Sequence, residues 1–229
     1  MKRNIIFLSL VLVFVAILST EARANYVEFS FKAVTNNPMP EPISAIESQL
    51  SLVVTNQNYD GYIIGSGQLG LILYNTGLLT SDVHEIYVDD GVFAGVAPTI
   101  YQSNSDLLPY PAGLAPGNLP GAPPGFVATA LYSADNGNGD GLDNGESVAL
   151  VFDLASGKTW SDIMAAINEG FINNYESLDS LTDLAIGLHV RSIGSDGQSQ
   201  SFVMTPLPAT ILLGLLGLGM GGWKLRKSL

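Results

Sequence analysis

Hydrophobic and polar residues alternate with a period of two through much of the chain. In the segment 26–34, Val27, Phe29 and Phe31 fall on one face, while Glu28 falls on the opposite face with other polar residues. This alternation is typical of a β-strand with one buried face. The same pattern predicts seven further strands, at 49–55, 68–74, 82–88, 126–133, 147–154, 183–193 and 199–204.

One segment has helical periodicity instead. Thr159 is a suitable N-cap residue, and Asp162 follows three positions later. Apolar residues then recur at helical spacing and form a stripe, which we expect to pack on the sheet as part of the core. The stripe consists of Trp160, Ile163, Met164, Ile167 and Phe171.

These patterns predict the fold class and the division of the chain. Roughly eight to ten short strands with one late helix predict an all-β domain, a β-sandwich of the jelly-roll type with one inserted helix. We expect this domain to span residues 25–204. A signal peptide at 1–24 precedes it, and a tail with a hydrophobic helix at 205–229 follows it.

The N-terminal segment has the three parts of a secretory signal peptide. Two basic residues follow Met1, residues 5–18 are strongly apolar, and Ala22 and Ala24 are the small residues of a cleavage site before Asn25. The apolar run is short for a transmembrane helix. We therefore expect cleavage, with retention as an uncleaved anchor as the alternative.

The C-terminal tail also has a hydrophobic and a basic part. An apolar run covers residues 211–223, and three of the last six residues are Lys or Arg. Basic clusters at both ends favour the cytoplasmic side, so the precursor should form a hairpin with its middle outside. Because the run is short and rich in glycine, removal of the tail is favoured over a stable C-terminal anchor.

Charge is distributed unevenly along the 229 residues, whose formal net charge is −12. The middle of the chain keeps only three cations, Lys32, Lys158 and Arg191, against twenty acids, which gives it a net charge of −17. Nucleic acid is excluded as a partner because phosphate binding needs clustered cations. Divalent cations and neutral glycans fit this charge, and so does a purely solubilising role. The chain has no cysteine, so no disulfide supports it.

The tract 135–146 is the segment whose residue types converge on a ligand. Calcium takes roughly six to eight oxygens from carboxylates, amides and carbonyls in a flexible loop. In the twelve-residue loop of an EF-hand, positions three, five and twelve supply side-chain ligands. Counted from Asp135, the tract has the required Glu at position twelve but Gly at positions three and five; counted from Asn136, position twelve is Ser147 and not Glu. It therefore predicts either a calcium site or a solvated Asn/Gly turn. The candidate ligands are Asp135, Asn136, Asn138, Asp140, Asp143 and Glu146.

The segment 82–88 places Val83 on the same face as Glu85 and Tyr87, and it runs into Asp89-Asp90-Gly91. An Asp-Gly sequence after a strand is a strong turn signal. The two aspartates could bind a cation, although such a turn usually has no ligand.

Two further pairs of residues could contact a ligand. His189 and Arg191 share one face of the strand at 183–193 and could bind a glycan or a carboxylate, or be ordinary surface residues. The segment 98–124 is rich in Pro and Gly and predicts a long irregular loop. Within it, Tyr101 and Tyr110 are the leading candidates for ligand contact.

The sequence offers little to catalysis. There is no cysteine, and the two histidines, His84 and His189, lie far apart in the sequence. A Ser/His/Asp triad or a histidine-rich metal centre therefore has few residues to build on. The two carboxylates of a glycosidase can come from distant parts of the sequence, and no local motif indicates such a pair. We expect that the protein is not an enzyme.

The stretch Thr205-Pro206-Leu207-Pro208-Ala209-Thr210, with the apolar run and basic cluster after it, resembles the PEP-CTERM class of bacterial sorting signals in its Pro-Leu-Pro-Ala variant. Thr205 stands where that class usually has Val. Segments 85–91, 115–121 and 186–190 also resemble small secreted PEP-CTERM proteins without an assigned activity. The resemblance implies a sorting motif made of Pro206, Leu207, Pro208 and Ala209.

The resemblance further implies the partners and the location. Such proteins are substrates of an exosortase in Gram-negative bacteria that make exopolysaccharide, and they meet the Sec export machinery and, at least transiently, the inner membrane. We therefore expect an exported protein of the cell surface or exopolysaccharide matrix without catalytic activity. One alternative is a calcium-dependent glycan-binding module, with calcium as its cofactor, and another is a secreted glycan hydrolase or lyase. No residues are assigned to glycan binding.

Overall fold

The computed structural model describes residues 26–90, 97–102, 107–109, 117–134, 141–172 and 184–206. Within these ranges the chain forms eleven β-strands and two α-helices. The strands are β1 Tyr26–Ala33, β2 Leu50–Thr55, β3 Gln68–Asn75, β4 Asp82–Asp90, β5 Thr99–Gln102, β6 Leu107–Pro109, β7 Ala130–Ala134, β8 Leu142–Asp143, β9 Glu146–Asp153, β10 Leu184–Ile193 and β11 Gln198–Pro206. The helices are α1 Ile43–Glu47 and α2 Trp160–Ile172.

All eight strands predicted from periodicity are present, although β7 begins four residues later than expected. The sequence patterns missed β5, β6 and β8, which are too short to show a clear period. The expectation of one helix was also wrong, because α1 is a second one. This five-residue helix depends on tertiary packing, since Ile46 is fully buried in the core.

Every strand pairs with its neighbours in the antiparallel sense, in the order β5-β9-β3-β2-β1-β11-β10-β4-β7-β6, and β8 pairs with β4. The two edge strands, β5 and β6, are consecutive in the chain. Only four residues separate Gln102 from Leu107, so five Cα steps limit the distance between these ends to about 19 Å. The sheet must therefore curl until its two edges approach each other.

The concave face of the curled sheet encloses the main hydrophobic core. Alternate residues of both halves of the sheet meet in it, from Leu52, Leu71 and Leu150 on one side to Ile186 and Phe202 on the other. Helix α2 adds Ile163 and Ile167 of its predicted stripe to this cluster, together with Ala166, which was not predicted. Trp160 and Met164 of the stripe are partly buried against the cluster. Thr159 and Asp162 cap the helix reciprocally. The Thr159 amide and hydroxyl donate to the Asp162 carboxylate at 2.7 Å each, and the Asp162 amide donates to Thr159 Oγ1 at 3.4 Å.

A β-bulge changes the faces of β4. His189 of β10 pairs with Glu85, but the next residue, Val190, pairs with Val83, so that His84 is an extra residue in β4. Val83 is therefore buried in the main core with Ile86, on the face opposite to Glu85. The predicted alternation, with Val83 and Glu85 on one face, was wrong because a strict period of two does not continue through a bulge.

Two loops cover parts of the convex face. The first loop, residues 117–129, buries Leu119 and Phe126 against Tyr87 and Ala185 of the β4–β10 region. The second, residues 56–67, buries Ile64 against β2, β3 and β9, and we call it the strap. Strands beneath these loops are buried on both faces, which explains their almost continuous apolar sequences.

We expect the Gly187→Ala substitution to loosen the first loop. A Cβ atom on Gly187 would lie 2.7 Å from Leu119 Cδ2 and 3.1 Å from Phe126 Cζ, both in buried side chains. Overpacking of this kind costs about 1–3 kcal/mol of unfolding free energy. Urea denaturation of both proteins would measure the loss. The control is Gly117→Ala in the same loop, where a new Cβ meets no atom within 4 Å; equal stability of the two variants would contradict the packing argument.

Candidate functional site

The structure describes only the end of the predicted calcium tract. Asp135, Asn136, Asn138 and Asp140 lie outside the described residues. Asp143 is exposed at the end of β8, and its amide donates to Glu146 Oε2 at 2.9 Å. Gly145 between them has a φ of 94°, which only glycine adopts readily. The Glu146 carboxylate is therefore engaged in closing the turn that joins β8 to β9.

A second carboxylate faces this tract from β4. Asp82 pairs directly with Asp143 across the two strands, and like charges in that position repel each other. The Asp82 side chain is 14% exposed, and its Oδ1 has no hydrogen-bond partner among the described residues. Burial raises the pKa of Asp82, although His84, whose Nδ1 lies 3.4 Å from Asp82 Oδ2, opposes this shift. Nowhere in the described ranges do three His, Asp or Glu side chains come close enough to hold a metal ion together.

A polar cluster with defined geometry lies on the convex face of β4 and β10. His189 Nδ1 lies 2.9 Å from Glu85 Oε2, and the Tyr87 hydroxyl donates to the same oxygen at 2.7 Å. The hydrogen bond from His189, followed by that from Tyr87, holds the pKa of Glu85 below its usual range. Arg191 adds a favourable charge from the same strand. The sequence pattern paired His189 with Arg191 and did not predict that His189 forms a hydrogen bond with Glu85.

This cluster contains two components of an acyl-transfer site, a carboxylate and a histidine oriented by it. The residue opposite His189 on β11 is Ser201. Ser201 is only 1% exposed, and its backbone is bonded to Thr35 and Val34. A substrate carbonyl cannot reach a hydroxyl buried in this way, so Ser201 does not complete an acyl-transfer site with this pair.

The other single-residue candidates have different outcomes. Asp89 is not part of a turn, because β4 continues to Asp90. Asp89 is fully buried, and its Oδ2 accepts a hydrogen bond from the Val127 amide at 2.9 Å, which ties the first loop to the sheet. Tyr101 lies on β5 with 42% of its surface exposed, so it can contact a ligand. Tyr110 lies outside the described residues.

Sequence reasoning missed a group of tyrosines at the strap. Tyr59 and Tyr62 exchange both backbone hydrogen bonds around Asp60 and Gly61, whose φ values of 48° and 84° match a type I′ turn. On the same side of the sheet, the hydroxyl of Tyr74, a residue of β3, donates to Asp60 Oδ2 at 2.9 Å. Burial and then this bond raise the pKa of Tyr74, so its hydroxyl remains a donor. The Asp-Gly dipeptide between two tyrosines was the available sequence signal.

The processing sites fall mainly beyond the described part of the chain. Ala22 and Ala24 lie outside it, as do Leu207, Pro208 and Ala209. Pro206, the first residue of the sorting motif, is the last residue of β11 and is exposed. Neither of the two described helices has the length and hydropathy needed to span a membrane.

Comparisons with known proteins do not place the chain in a family. No protein-family model matches it, no curated protein matches it significantly, and no solved structure does so either.

We expect the Glu85→Gln substitution to change how stability depends on pH. Because the pKa of Glu85 is lowered in the folded state, its ionised form stabilises the fold above the unfolded pKa, and this contribution is lost as pH falls below about 4. The wild type should exceed the variant in unfolding free energy at neutral pH, and the two should converge in acid. Chemical denaturation at several pH values measures this difference.

Glu169→Gln, an exposed substitution on α2, is the control. A difference between the wild type and Glu85→Gln that stays constant from pH 7 to pH 3 would contradict the role assigned to Glu85.

Proposed function

We propose that the chain is an exported, non-catalytic protein of the cell surface or exopolysaccharide matrix, which an exosortase sorts through the motif Pro206, Leu207, Pro208 and Ala209. The observation that carries this proposal is the register between the first and last strands. Phe29 of β1 pairs with Pro206 of β11, and the strands are antiparallel. The segments before β1 and after β11 therefore start from neighbouring strands at the same end of the sheet. That placement supports a precursor held at the membrane by both ends, with the β-domain on the outer side.

Charge and composition support the same proposal. The middle of the chain has a net charge of −17, from three cations and twenty acids, while basic residues cluster near both termini. This asymmetry matches the positive-inside rule for a hairpin whose ends face the cytoplasm. An acidic exterior also keeps an exported domain soluble at high concentration.

We also infer that the curled sheet is a β-sandwich of the jelly-roll type. Buried residues of β1, β2, β3 and β9 contact those of β4, β10 and β11 in one cluster, as the two inner faces of a sandwich do. Helix α2 then covers one side of this core. The sandwich supplies a rigid, disulfide-free body to which the two processed ends are attached.

A second candidate function is calcium-dependent glycan binding through the tract 135–146. The specific observation in its favour is the pairing of Asp82 with Asp143. Asp82 Oδ1 is buried without a hydrogen-bond partner in the described ranges, and such an oxygen is unfavourable unless a cation or donor satisfies it. A calcium ion bound by the tract would reduce the repulsion between the two carboxylates.

For the proposed function, we expect the final product to begin at Asn25 and to lack the residues after the sorting motif. The double substitution Pro206→Ala with Pro208→Ala should leave the tail attached and the protein in the membrane fraction, because both prolines of the motif are lost. Intact-mass spectrometry of the matrix and membrane fractions measures both outcomes. Ser228→Ala at the far end of the tail is the control. A matrix product of the wild type that still ends at Leu229 would contradict the proposal.

For the second candidate, we expect millimolar calcium to release or absorb heat in calorimetric titration and to raise the melting temperature. Asp82→Asn should weaken both effects, whereas Asp196→Asn, in an exposed turn elsewhere, should not. No heat and no change in melting temperature with millimolar calcium would rule out this candidate.

A further inference from the structure

The geometry points to a binding face for a neutral polysaccharide on the convex side of β1, β2, β3, β9 and β5. We call it the tyrosine platform, and it consists of Tyr26, Tyr59, Tyr62 and Tyr74 with the carboxylates of Glu28 and Asp60. The inference deepens the proposed matrix association, on which it rests for its biological setting. It names a face that is separate from the calcium tract and needs no metal.

The strap holds the tyrosines across several strands. The Tyr59 hydroxyl donates to Glu28 Oε1 of β1 at 3.3 Å, and Tyr62 shares a hydrogen bond of 2.8 Å with Ser147 of β9. The Tyr59 ring also packs against Tyr26, with centroids 4.9 Å apart and planes tilted by 58°. Ile64 anchors the strap, because its side chain is buried over Gly70. A Cβ atom at Gly70 would lie only 2.7 Å from Ile64 Cδ1. The rings are therefore fixed before a ligand arrives.

The platform remains accessible although it is anchored. Tyr26 is 37% exposed, and Ile63 of the strap is 68% exposed. The register Glu28, Val53, Ile72, Ala149 and Tyr101 runs straight across five strands. The strap covers the three buried residues in the middle of this row, so the accessible face consists of the strap and the strand residues on either side of it. With interstrand spacings of roughly 4.8 Å, Tyr101 lies about 19 Å from the β1 side. Exposed aromatic residues thus border the face at both ends, which suits an extended chain better than a small molecule.

The hydrogen-bonding character of the face selects the ligand class. Glu28 and Asp60 each accept one tyrosine hydroxyl, and a carboxylate has about four acceptor positions. In the described part of the chain no Lys or Arg forms an ion pair with either carboxylate. The face therefore offers acceptors to hydroxyl donors and repels anions. Sugar rings supply hydroxyl donors at their edges and C–H groups that pack on aromatic rings.

Affinity electrophoresis of the full chain in mild detergent tests this inference. The gels would contain a neutral polymer (dextran, galactomannan or a mixed-linkage β-glucan), the anionic polymer alginate or the cationic polymer polylysine. We expect at least one neutral polymer to retard the wild type, with no effect of a calcium chelator. The Tyr26→Ala and Tyr59→Ala double variant should lose about tenfold or more in affinity, as is common when aromatic contacts are truncated in an interface. Leu78→Ala is the control, since Leu78 is fully exposed outside the platform.

A milder variant guards against loss of folding. Asp60→Asn keeps a residue that tolerates the positive φ of the turn but removes the charge, and it should weaken retardation while the unfolding midpoint stays unchanged. The inference is overturned if no neutral polymer retards the wild type, if the tyrosine and Asp60→Asn variants bind like the wild type, or if only polylysine is effective. Because these readouts use the purified chain, they are independent of whether the tail is processed.

Discussion

The pairing of β1 with β11 is the interaction on which the rest of the structure depends. It lies in the middle of the strand order, with β2, β3, β9 and β5 on one side and β10, β4, β7 and β6 on the other. It also joins the two ends of the domain, since Ser30 and Thr205 face each other with their hydroxyls 3.1 Å apart. Without this pairing the two halves could not enclose one core. Because its residues are about as distant in sequence as the domain allows, the entropy cost of closing it is large.

The core and the two convex loops compensate for that cost without disulfides. Apolar residues from both halves fill the concave side, and burial of apolar surface is the main force available to a chain that lacks cysteine. The two loops add smaller clusters on the outside, with Phe126 and Ile64 as their buried anchors. Hydrogen bonds hold both loops on the sheet. The Asp89 carboxylate accepts one from the first loop, and Tyr59 and Tyr62 of the strap form hydrogen bonds with β1 and β9. Each loop is therefore part of the folded unit and can present side chains in fixed positions.

The charged groups of the domain divide between structure and surface. The carboxylates of Glu85 and Asp89 accept hydrogen bonds from other elements of the domain, His189 of β10 and the Val127 amide of the first loop. Glu28 and Asp60 are exposed and orient tyrosine hydroxyls on the convex face. The hydroxyl-rich polymers and divalent cations that we propose as partners are compatible with the twenty acids and three cations in the middle of the chain. Both proposals, matrix association and the tyrosine platform, rely on this charge balance of the sequence.

The sequence by itself determined the predominance of β-strands, eight of the strands and helix α2 with its Thr159 cap, because these follow from local periodicity and capping. The tertiary structure decided the rest. The bulge at His84 reversed the face of Val83, and helix α1 exists because Ile46 finds a place in the core. The partners of His189, Asp89 and Tyr59 come from strands or loops between about 30 and 104 residues away. Such contacts depend on strand order and register, which are set by long-range packing and are not encoded in any local pattern.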